Sequence, residues 1–370
     1  MATALKRFTL LSPLLFFSLI VFLFAGSAEA AIVDASGKVW EVAAPPTRVL
    51  CSGSGCLRLL TYLGAQDRIV GVEDIEKRVQ AVDPRPYFLA NRRFAEKPLV
   101  GEFRGFLRPE LVLGLEKTPQ VIFKTDPESG TPAGKIQSAT GIPVIPLVYG
   151  NLTSQSEALY ASLRTMGKVM GKQARAEELV RYINSTVRDL EKRTAGIPEP
   201  LRKRVYVGGI SFRGSHGLLS TELGYPPFVF TGSLTMGKDS GKGGAERAAV
   251  SKEDLLAWNP QVLFVDLSTL DTDNKANALE GLRSDPLWKE LEAVRNGRVY
   301  GLLPYNWYTQ NFECILANAY FVGKVLYPER FRDVDPAKKA DEIIRFFVGK
   351  ALFKEINSQF KGQAYREISL

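Results

Sequence analysis

The single histidine of this 370-residue chain lies in a loop that also offers arginine and aromatic side chains. His216 could coordinate the metal of a partly unsaturated complex or donate a hydrogen bond to an anionic chelate, although a lone histidine is also often structural. Arginine binds pairs of anionic oxygens, and aromatic faces pack against planar ligands. The candidate contacts in this loop and its neighbours are Tyr87, Arg104, Phe212, Arg213, Tyr225, Tyr305, Trp307 and Tyr308.

Core packing is the alternative role for each of these aromatic rings. The segment Tyr225-Pro-Pro-Phe228 in particular has the composition of a structural corner. The segment Tyr305-Asn-Trp-Tyr308 differs, because three wide rings from one short loop cannot all turn inward. We therefore expect this second segment to present aromatic side chains to a ligand.

A glycine-rich loop, Ser52-Gly-Ser-Gly-Cys56, provides a second candidate site. Glycines allow backbone amides to approach a ligand, and the N-terminus of the helix that follows favours an anion. Ser52, Ser54 and Arg58 are the side chains expected to contact such a ligand. A plain strand-to-helix turn capped by Ser54 is equally compatible with this composition. Because no Gly-Lys-Ser or Gly-Lys-Thr follows, the loop is not the phosphate loop of nucleotide-binding enzymes.

Histidine and cysteine usage limits the metal chemistry that this chain can perform. A site for free Zn²⁺ or Mn²⁺ takes several histidines and carboxylates, so one histidine favours a chelated metal or an oxyanion instead. His216 is the candidate contact to the metal within such a complex, and no resident cofactor is expected. The three cysteines are too few for a disulfide scaffold. Cys51 and Cys56 are close enough in sequence to form a disulfide, with buried free thiols as the alternative.

The elements that position these loops are visible as an approximate duplication. The segment from Pro109 to Phe123 resembles the segment from Lys252 to Phe264, since each begins with helical apolar spacing, breaks at Pro-Gln and enters a short strand. A strand and a glycine-rich loop precede each segment, and another strand follows it. Strands that alternate with helices predict parallel sheets with crossover helices. The fold class is therefore α/β, with two Rossmann-like lobes whose facing loops hold the ligand.

A long helical region separates the two repeats. We predict helices over Ser154 to Met170 and Lys172 to Thr194, and the second is long enough, at about 34 Å, to join the lobes. Further helix is expected from Ala337 to about Gln359. The expected organisation is a signal peptide (1–30), an N-terminal α/β lobe (31–150), a helical connector (151–200), a C-terminal α/β lobe (201–336) and a C-terminal helical segment (337–370).

The N-terminus has the features of an export signal. Lys6 and Arg7 precede an apolar run from Phe8 to Ala25, and Ala28-Glu-Ala30 supplies small residues for cleavage near Ala30. The whole chain carries a net charge of +8, and +7 without this segment. A modest positive charge is compatible with an anionic ligand. Export and the absence of a dense Lys/Arg block argue against nucleic acid as a partner.

Two repeated α/β units with a long connecting helix resemble the helix-linked periplasmic solute-binding proteins of ABC importers. The stretches that carry the resemblance are DASGKVWEV as an N-terminal hairpin, PPTRVLCSGSGCLRLLTYLGAQDRIVGVED, GGISFRGSHGLLSTELGYPPF and LLPYNWYTQNFECILANAYFVGKVLYPERF. The resemblance implies a monomeric periplasmic receptor, not an enzyme, for an iron siderophore, haem, cobalamin or related metal complex. Its partners would be an ABC permease dimer and the associated ATPase.

In this family one glutamate on each lobe docks into arginine pockets of the permease. Glu110 and Glu253, at the starts of the repeated helices, occupy the matching positions. The alternative is that both are acids placed to suit the helix macrodipole. Two other functions stay open: an exported enzyme, against which the chain lacks both Gly-x-Gly-x-x-Gly after the first strand and Gly-x-Ser-x-Gly, and a sensor module without transport.

Overall fold

The computed structural model describes residues 29–33, 37, 39–43, 45–78, 80–212, 216–236, 248–270 and 277–370. The predicted signal peptide lies, up to residue 28, outside the described residues, as does Arg213. The strands are β1 (Glu29–Val33), β2 (Val39–Ala43), β3 (Val49–Ser52), β4 (Val72–Glu73), β5 (Leu99–Glu102), β6 (Phe106–Leu107), β7 (Val121–Thr125), β8 (Val144–Leu147), β9 (Val205–Gly208), β10 (Ser220–Thr221), β11 (Ala248–Ala249), β12 (Val262–Asp266) and β13 (Val299–Leu302).

Helices surround these strands throughout the described part of the chain. They are α1 (Cys56–Tyr62), α2 (Pro86–Ala90), α3 (Pro109–Leu113), α4 (Ala133–Thr140), α5 (Ser156–Met170), α6 (Gln173–Thr194), α7 (Pro226–Phe230), α8 (Lys252–Trp258), α9 (Ala278–Ser284), α10 (Glu292–Arg295), α11 (Phe312–Leu326), α12 (Pro336–Val348) and α13 (Phe353–Gln359). None of the helices within the described ranges is long and apolar enough to cross a bilayer.

Each half of the chain contains a three-stranded parallel sheet. The first has the order β3-β7-β8, beside a small sheet of β4, β5 and β6. The second has the order β13-β12-β9, and β10 pairs with β11 nearby. Helices α3 and α8 lead into the two central strands, β7 and β12. The predicted duplication is therefore confirmed. An N-terminal hairpin is present, but its first strand, β1, precedes the stretch 34–42 that was expected to form it and includes two residues assigned to the signal peptide.

Local sequence explains why these elements form where they do. Every residue of β7 and of β12 is buried, and each strand begins with a continuous apolar run, residues 121–123 in β7 and 262–265 in β12, instead of an alternating pattern. Helix α8 begins with a capping box in which Ser251 and Asp254 satisfy one another's backbone amides. Helix α5 ends at Gly171, whose φ of 64° only glycine adopts readily.

The connecting helix α6 is tied to both halves. Its apolar stripe, which includes Ala176, Leu179 and Ile183, is buried as predicted. At its start Arg175 donates to the carbonyl of Tyr62 at 3.0 Å. At its end Arg193 forms an ion pair with Asp333 at 2.6 Å. These contacts fix the orientation of α6 relative to the elements on either side.

The apolar core is continuous across the two halves. This differs from the expectation of two separate lobes joined by a long helix. Helices α1, α6, α11 and α12 and the inner faces of both parallel sheets belong to one cluster of buried side chains. Only the outer faces of the sheets have separate clusters. The reason is α11, which is buried around most of its circumference and therefore packs on several neighbours at once.

The predicted C-terminal helix is found as two helices. Gly349, with a φ of 80°, ends α12, and α13 begins at Phe353. Asp335 caps the start of α12 by accepting from the amides of Ala337 and Lys338. Helix α12 packs on α11 and also on α1 and α2, so the end of the chain completes the core of the first half.

Candidate ligand-binding cleft

The loops that follow the parallel strands of the two halves contact one another at a junction, which we call the candidate cleft. Its central feature is residues 305–311, which we call the cleft hairpin. The amide of Asn311 donates to the carbonyl of Tyr305 at 2.7 Å, and Asn306 pairs with Gln310. The Asn306 side chain donates to the carbonyl of Ser211 at 2.7 Å. The base of the hairpin is therefore fixed to the second half of the protein.

The tip of the cleft hairpin reaches the first half. Tyr308 donates its hydroxyl proton to Glu73 Oε2 at 2.7 Å and accepts from the amide of Arg104 at 3.1 Å. Trp307 Nε1 donates to Gln80 Oε1 at 3.2 Å. Both Trp307 and Tyr308 are half-buried. The cleft is bridged at this point by side chains that the sequence predicted as ligand contacts.

Arg58 lies at the centre of this bridge and is completely buried. Its Nη1 donates to the carbonyl of Gln310 and to Tyr149 Oη, both at 2.7 Å, and its Nη2 donates to the carbonyl of Trp307 at 3.2 Å. Its Nε has no hydrogen-bond partner. The guanidinium lies 4.9 Å from the centre of the Tyr87 ring. Burial opposes the charge of Arg58, but nearby phenols and Glu313 outweigh burial and raise its pKa.

Arg85 provides a contrast within the same half of the protein. It is equally buried, yet it forms ion pairs with Glu76 at 3.1 Å and Asp83 at 2.7 Å. Its charge is therefore neutralised by neighbouring carboxylates. Among the described ion pairs none involves Arg58, whose contacts are all neutral groups. A buried charge without a counterion is costly unless a binding partner supplies one.

The glycine-rich loop before α1 already holds an internal anion. Ser52 Oγ and the amide of Gly53 both donate to Glu73 Oε1, at 2.9 and 2.8 Å. Burial raises the pKa of the Glu73 carboxyl, although these hydrogen bonds oppose the rise. The predicted capping role of Ser54 is wrong, because Gly55 with a φ of 81° is the N-cap and no side chain caps the helix. Ser52 therefore stabilises the loop through Glu73.

Two of the aromatic residues predicted to contact ligand belong to the core instead. Tyr225 and Tyr305 are fully buried and pack edge to face, with ring centres 5.2 Å apart. The Tyr225 hydroxyl accepts from Asn318 at 3.3 Å. The segment Tyr305-Asn-Trp-Tyr308 thus turns one ring inward and leaves two at the cleft. Tyr87 is also buried and donates to Glu76 Oε1 at 2.6 Å, but its ring forms a wall of the Arg58 site.

The remaining predicted contacts, Arg104, Phe212 and His216, lie nearer the protein surface than Arg58. Arg104 is exposed, with a φ of 65°. Phe212 is 43% exposed, and with the half-buried His216 it borders a cavity of about 750 Å³ in the second half. His216 Nε2 lies 2.6 Å from the carbonyl of Phe212. No group of three His, Cys, Asp or Glu residues that could hold a metal ion occurs in the part of the chain that the structure describes.

The cysteines and the two docking glutamates also have defined places. Cys51, Cys56 and Cys314 are buried free thiols in the structure, so Cys51 and Cys56 do not form the disulfide that their spacing would allow. Burial strongly raises the pKa of Cys51. Glu110 and Glu253 are exposed at the second position of α3 and α8, one in each half of the chain.

Four residues of the site were not among the predicted contacts. They are Glu73, Tyr149, Gln310 and Glu313. Tyr149 and Glu73 lie in loops at strand ends, which sequence reasoning places at the cleft, although neither was chosen as a ligand contact. Glu313 is buried in α11 and hydrogen-bonded to Tyr62, and burial raises its pKa. No local pattern marks Gln310, because its backbone carbonyl makes the contact.

Two α/β halves with facing loops, a charged side chain buried at their junction and a helical connector define a solute receptor of the two-lobed kind. The family model for periplasmic binding proteins matches residues 49–305, and the chain belongs to this family, the substrate-binding components of ABC importers. Proteins of this family bind small ligands and work with a permease and an ATPase.

Individual relatives agree with this assignment. The chain is 22% identical over 248 residues to the molybdate-binding protein MolA of Haemophilus influenzae, covering 65% of this chain and 67% of MolA. The structure of MolA bound to molybdate matches with a TM-score of 0.65 and 20% identity over 87% of this chain and 99% of MolA.

Two further solved structures share the fold. An ABC transporter solute-binding protein from Sulfurospirillum deleyianum has a TM-score of 0.65 and 22% identity over 89% of this chain and 98% of its own. The periplasmic haem-binding protein HutB of Vibrio cholerae has a TM-score of 0.54 and 19% identity, over 76% of this chain and 99% of its own. At these identities the likeness establishes the fold.

Proposed function

We propose that this protein captures an iron chelate or a related anionic metal complex in the periplasm and delivers it to its permease. The observation that carries the proposal is Arg58, a buried guanidinium at the junction of the two halves that forms no ion pair with a described carboxylate. Such a group favours an anionic ligand. The scarcity of metal-ligating side chains favours a complex whose metal keeps its own ligands.

The relatives widen the class of complexes to be tested. The name of MolA records molybdate as its ligand, and that of HutB records haem. Both are metal-centred anions that present oxygen atoms, and so is ferric citrate. In the proposed mechanism Trp307, Tyr308, Arg104, Phe212 and His216 surround the complex, while Arg58 binds its anionic edge. Arg213 remains a proposed contact that lies outside the described residues.

Ligand-dependent thermal stability tests the proposal directly. Purified protein is heated with ferric citrate, a ferric hydroxamate, haemin, cobalamin or molybdate, with Zn²⁺ and Mn²⁺ as free-cation controls. A ligand at about 100 times its Kd adds about 2.7 kcal/mol to the free energy of unfolding and raises the Tm. Stabilisation by an anionic complex without its turnover supports the receptor and argues against the enzyme alternative. Stabilisation by free Zn²⁺ or Mn²⁺ alone contradicts the proposal.

Delivery to the permease is tested separately from binding. We propose that Glu110 and Glu253 dock on the two permease subunits by charge pairing. Replacement of both by glutamine should leave the Kd for the ligand unchanged and abolish uptake in cells that carry the permease. Glu116→Gln, also an exposed acid, is the matched control that keeps uptake. Unchanged uptake in the double variant contradicts docking at these positions and favours a sensor without transport.

Export is part of the same proposal. Cleavage near Ala30 would leave a monomeric chain that begins near Ala31 and keeps residues 31–33 of β1 for the hairpin with β2. The mass of the protein recovered from a periplasmic extract tests this point. A mass that includes residues 1–30 contradicts cleavage.

A further inference from the structure

The hydrogen bonds of Arg58 have the geometry of an anion site. Two donors, Arg58 Nη1 and Tyr149 Oη, converge on the carbonyl oxygen of Gln310 at 2.7 and 2.6 Å. Such short bonds are typical of charge-assisted hydrogen bonds, in which an ionised guanidinium would bind an anionic oxygen still more strongly than a neutral carbonyl. A third donor, Arg58 Nη2, reaches the carbonyl of Trp307 at 3.2 Å, and Arg58 Nε is buried without a partner. The two carbonyls thus accept from three donors, and Arg58 Nε is left without an acceptor.

The segment that supplies these carbonyls is itself strained. Tyr308 and Thr309, between the two carbonyl groups, have φ values of 52° and 73°. This left-handed region is unfavourable for residues other than glycine, and most of all for β-branched threonine. The conformation persists because contacts hold it: the Tyr308 hydroxyl bonds to Glu73 and Arg104, and Trp307 bonds to Gln80.

Further polar atoms around the cleft hairpin are buried without partners. Besides Arg58 Nε these are Gln80 Nε2, Tyr305 Oη, Gln310 Oε1, Asn311 Oδ1 and Glu313 Oε1. Buried polar groups without partners are costly, so this arrangement of the hairpin is poorly satisfied compared with an ordinary core. Glu313, the nearest acid on α11, is directed to Tyr62 and forms no ion pair with Arg58 among the described contacts.

We propose that Arg58 and Tyr149 form a subsite for an anionic oxygen of the ligand, and that the Trp307–Gln310 turn occupies this subsite until the ligand displaces it. This inference rests on the proposed function and specifies what Arg58, the central group of that proposal, binds: an anionic oxygen. The turn acts as an internal substitute: its carbonyls keep the guanidinium hydrogen-bonded in the absence of ligand. The measured affinity then equals the intrinsic affinity reduced by the fraction of molecules in which the turn is displaced.

Variants that act on the turn in opposite directions test the inference. Tyr308→Phe removes both hydrogen bonds of the Tyr308 hydroxyl, those with Glu73 and Arg104. It should therefore favour displacement of the turn by the ligand and raise the affinity for the ligand about fivefold. Thr309→Gly relieves the positive φ, so it should hold the turn in place and lower the affinity about fivefold. Arg58→Gln should lower the affinity about 30-fold or more, because the anionic oxygen then loses its charged partner. Arg92→Gln, an exposed arginine that pairs with Glu355, is the control with unchanged affinity.

The probes are ferric citrate for a carboxylate chelate, molybdate for a free oxyanion and a neutral ferric trihydroxamate for comparison. Affinities come from the fluorescence of Trp307, which leaves Gln80 when the turn moves, with Trp307→Phe to identify its signal. The neutral complex should not distinguish Arg58→Gln from the natural protein. Circular dichroism and Tm confirm that each variant is folded.

The outcomes separate this inference from the proposed function. Opposite changes in Tyr308→Phe and Thr309→Gly support the displaceable turn even if Arg58→Gln fails to fold. If ferric citrate or molybdate binds and all three variants have the affinity of the natural protein, Arg58 serves only to hold the two halves together. The inference is then wrong, but the proposed receptor function stands. If no metal complex binds the natural protein, both are wrong.

Discussion

Asp266 should make the stability of this protein fall as pH rises towards neutrality. It lies at the end of β12, fully buried, and accepts from the amides of Ser268 at 2.9 Å and Tyr305 at 3.2 Å. Burial raises the pKa of its carboxyl from 3.8 to about 7, although the bonds from Ser268 oppose the rise. The folded state therefore holds a proton that the unfolded state releases between about pH 4 and 7.

The magnitude follows from this difference. In that window the free energy of unfolding decreases by about 1.4 kcal/mol for each pH unit because of this one group, and by about 4 kcal/mol in all. Above pH 7 the carboxyl is ionised in both states and the contribution stays constant. Burial also raises the pKa values of Glu73, Glu76 and Glu313. These three carboxyls therefore add to the decrease in the free energy of unfolding of the natural protein as pH rises.

Asp266→Asn isolates the contribution of this residue. Asparagine keeps the shape but does not titrate, and one of its amide hydrogens faces a backbone donor, which costs about 1–2 kcal/mol. The variant should be about as stable as the natural protein at pH 5, and more stable by about 2–3 kcal/mol at pH 8. Urea unfolding at pH 5, 6, 7 and 8 measures both curves.

Asp333→Asn is the control for this experiment. Asp333 is exposed, and its hydrogen bond with Arg193 lowers the pKa of its carboxyl to about 2, so its contribution is lost only in acid. This variant should have the same slope as the natural protein from pH 5 to 8. An unchanged slope in Asp266→Asn would refute the argument from burial.

Two further predictions concern packing and the thiols. Gly323→Ala should lower the free energy of unfolding by about 1–3 kcal/mol, because the new methyl group would overlap the Phe331 ring. Gly281→Ala, on a helix with open space around it, should raise the free energy of unfolding by about 0.5–1 kcal/mol. Thermal unfolding of both variants measures the difference, and equal effects would contradict this account of the packing at Gly323. All three cysteines should resist a thiol reagent in the native protein and react after unfolding in urea. Titration of only one thiol after unfolding would show that two of the three cysteines are bridged and would contradict the free thiols.

The repeated elements were predictable because their signals are local. The runs before Phe123 and Phe264 combine helical spacing, a Pro-Gln break and a buried strand, and the structure places them as α3-β7 and α8-β12. Helix α6 was equally clear, since its apolar stripe recurs with helical spacing. Burial on both faces of a parallel sheet makes such segments uniform in composition, so their identity does not depend on distant contacts.

The contacts across the cleft were not predictable in the same way. Arg58 and Gln310 are 252 residues apart in sequence, and the acceptor is a backbone carbonyl that any residue would provide. The direction of each ring in Tyr305-Asn-Trp-Tyr308 depends on the left-handed turn at Tyr308 and Thr309, which has no glycine to mark it. Glu73 was not chosen as a contact, because its partner Tyr308 comes from the other half.

The continuous core has a consequence for the order in which the chain folds. The strands of the first sheet are complete by residue 147, but α11 and α12, which cover its inner side, follow after residue 311. An N-terminal half released alone would keep that apolar side in water, where it invites aggregation or a chaperone. The first half therefore gains its full core only after α11 and α12 have been synthesised, so its compact structure waits for nearly the whole polypeptide.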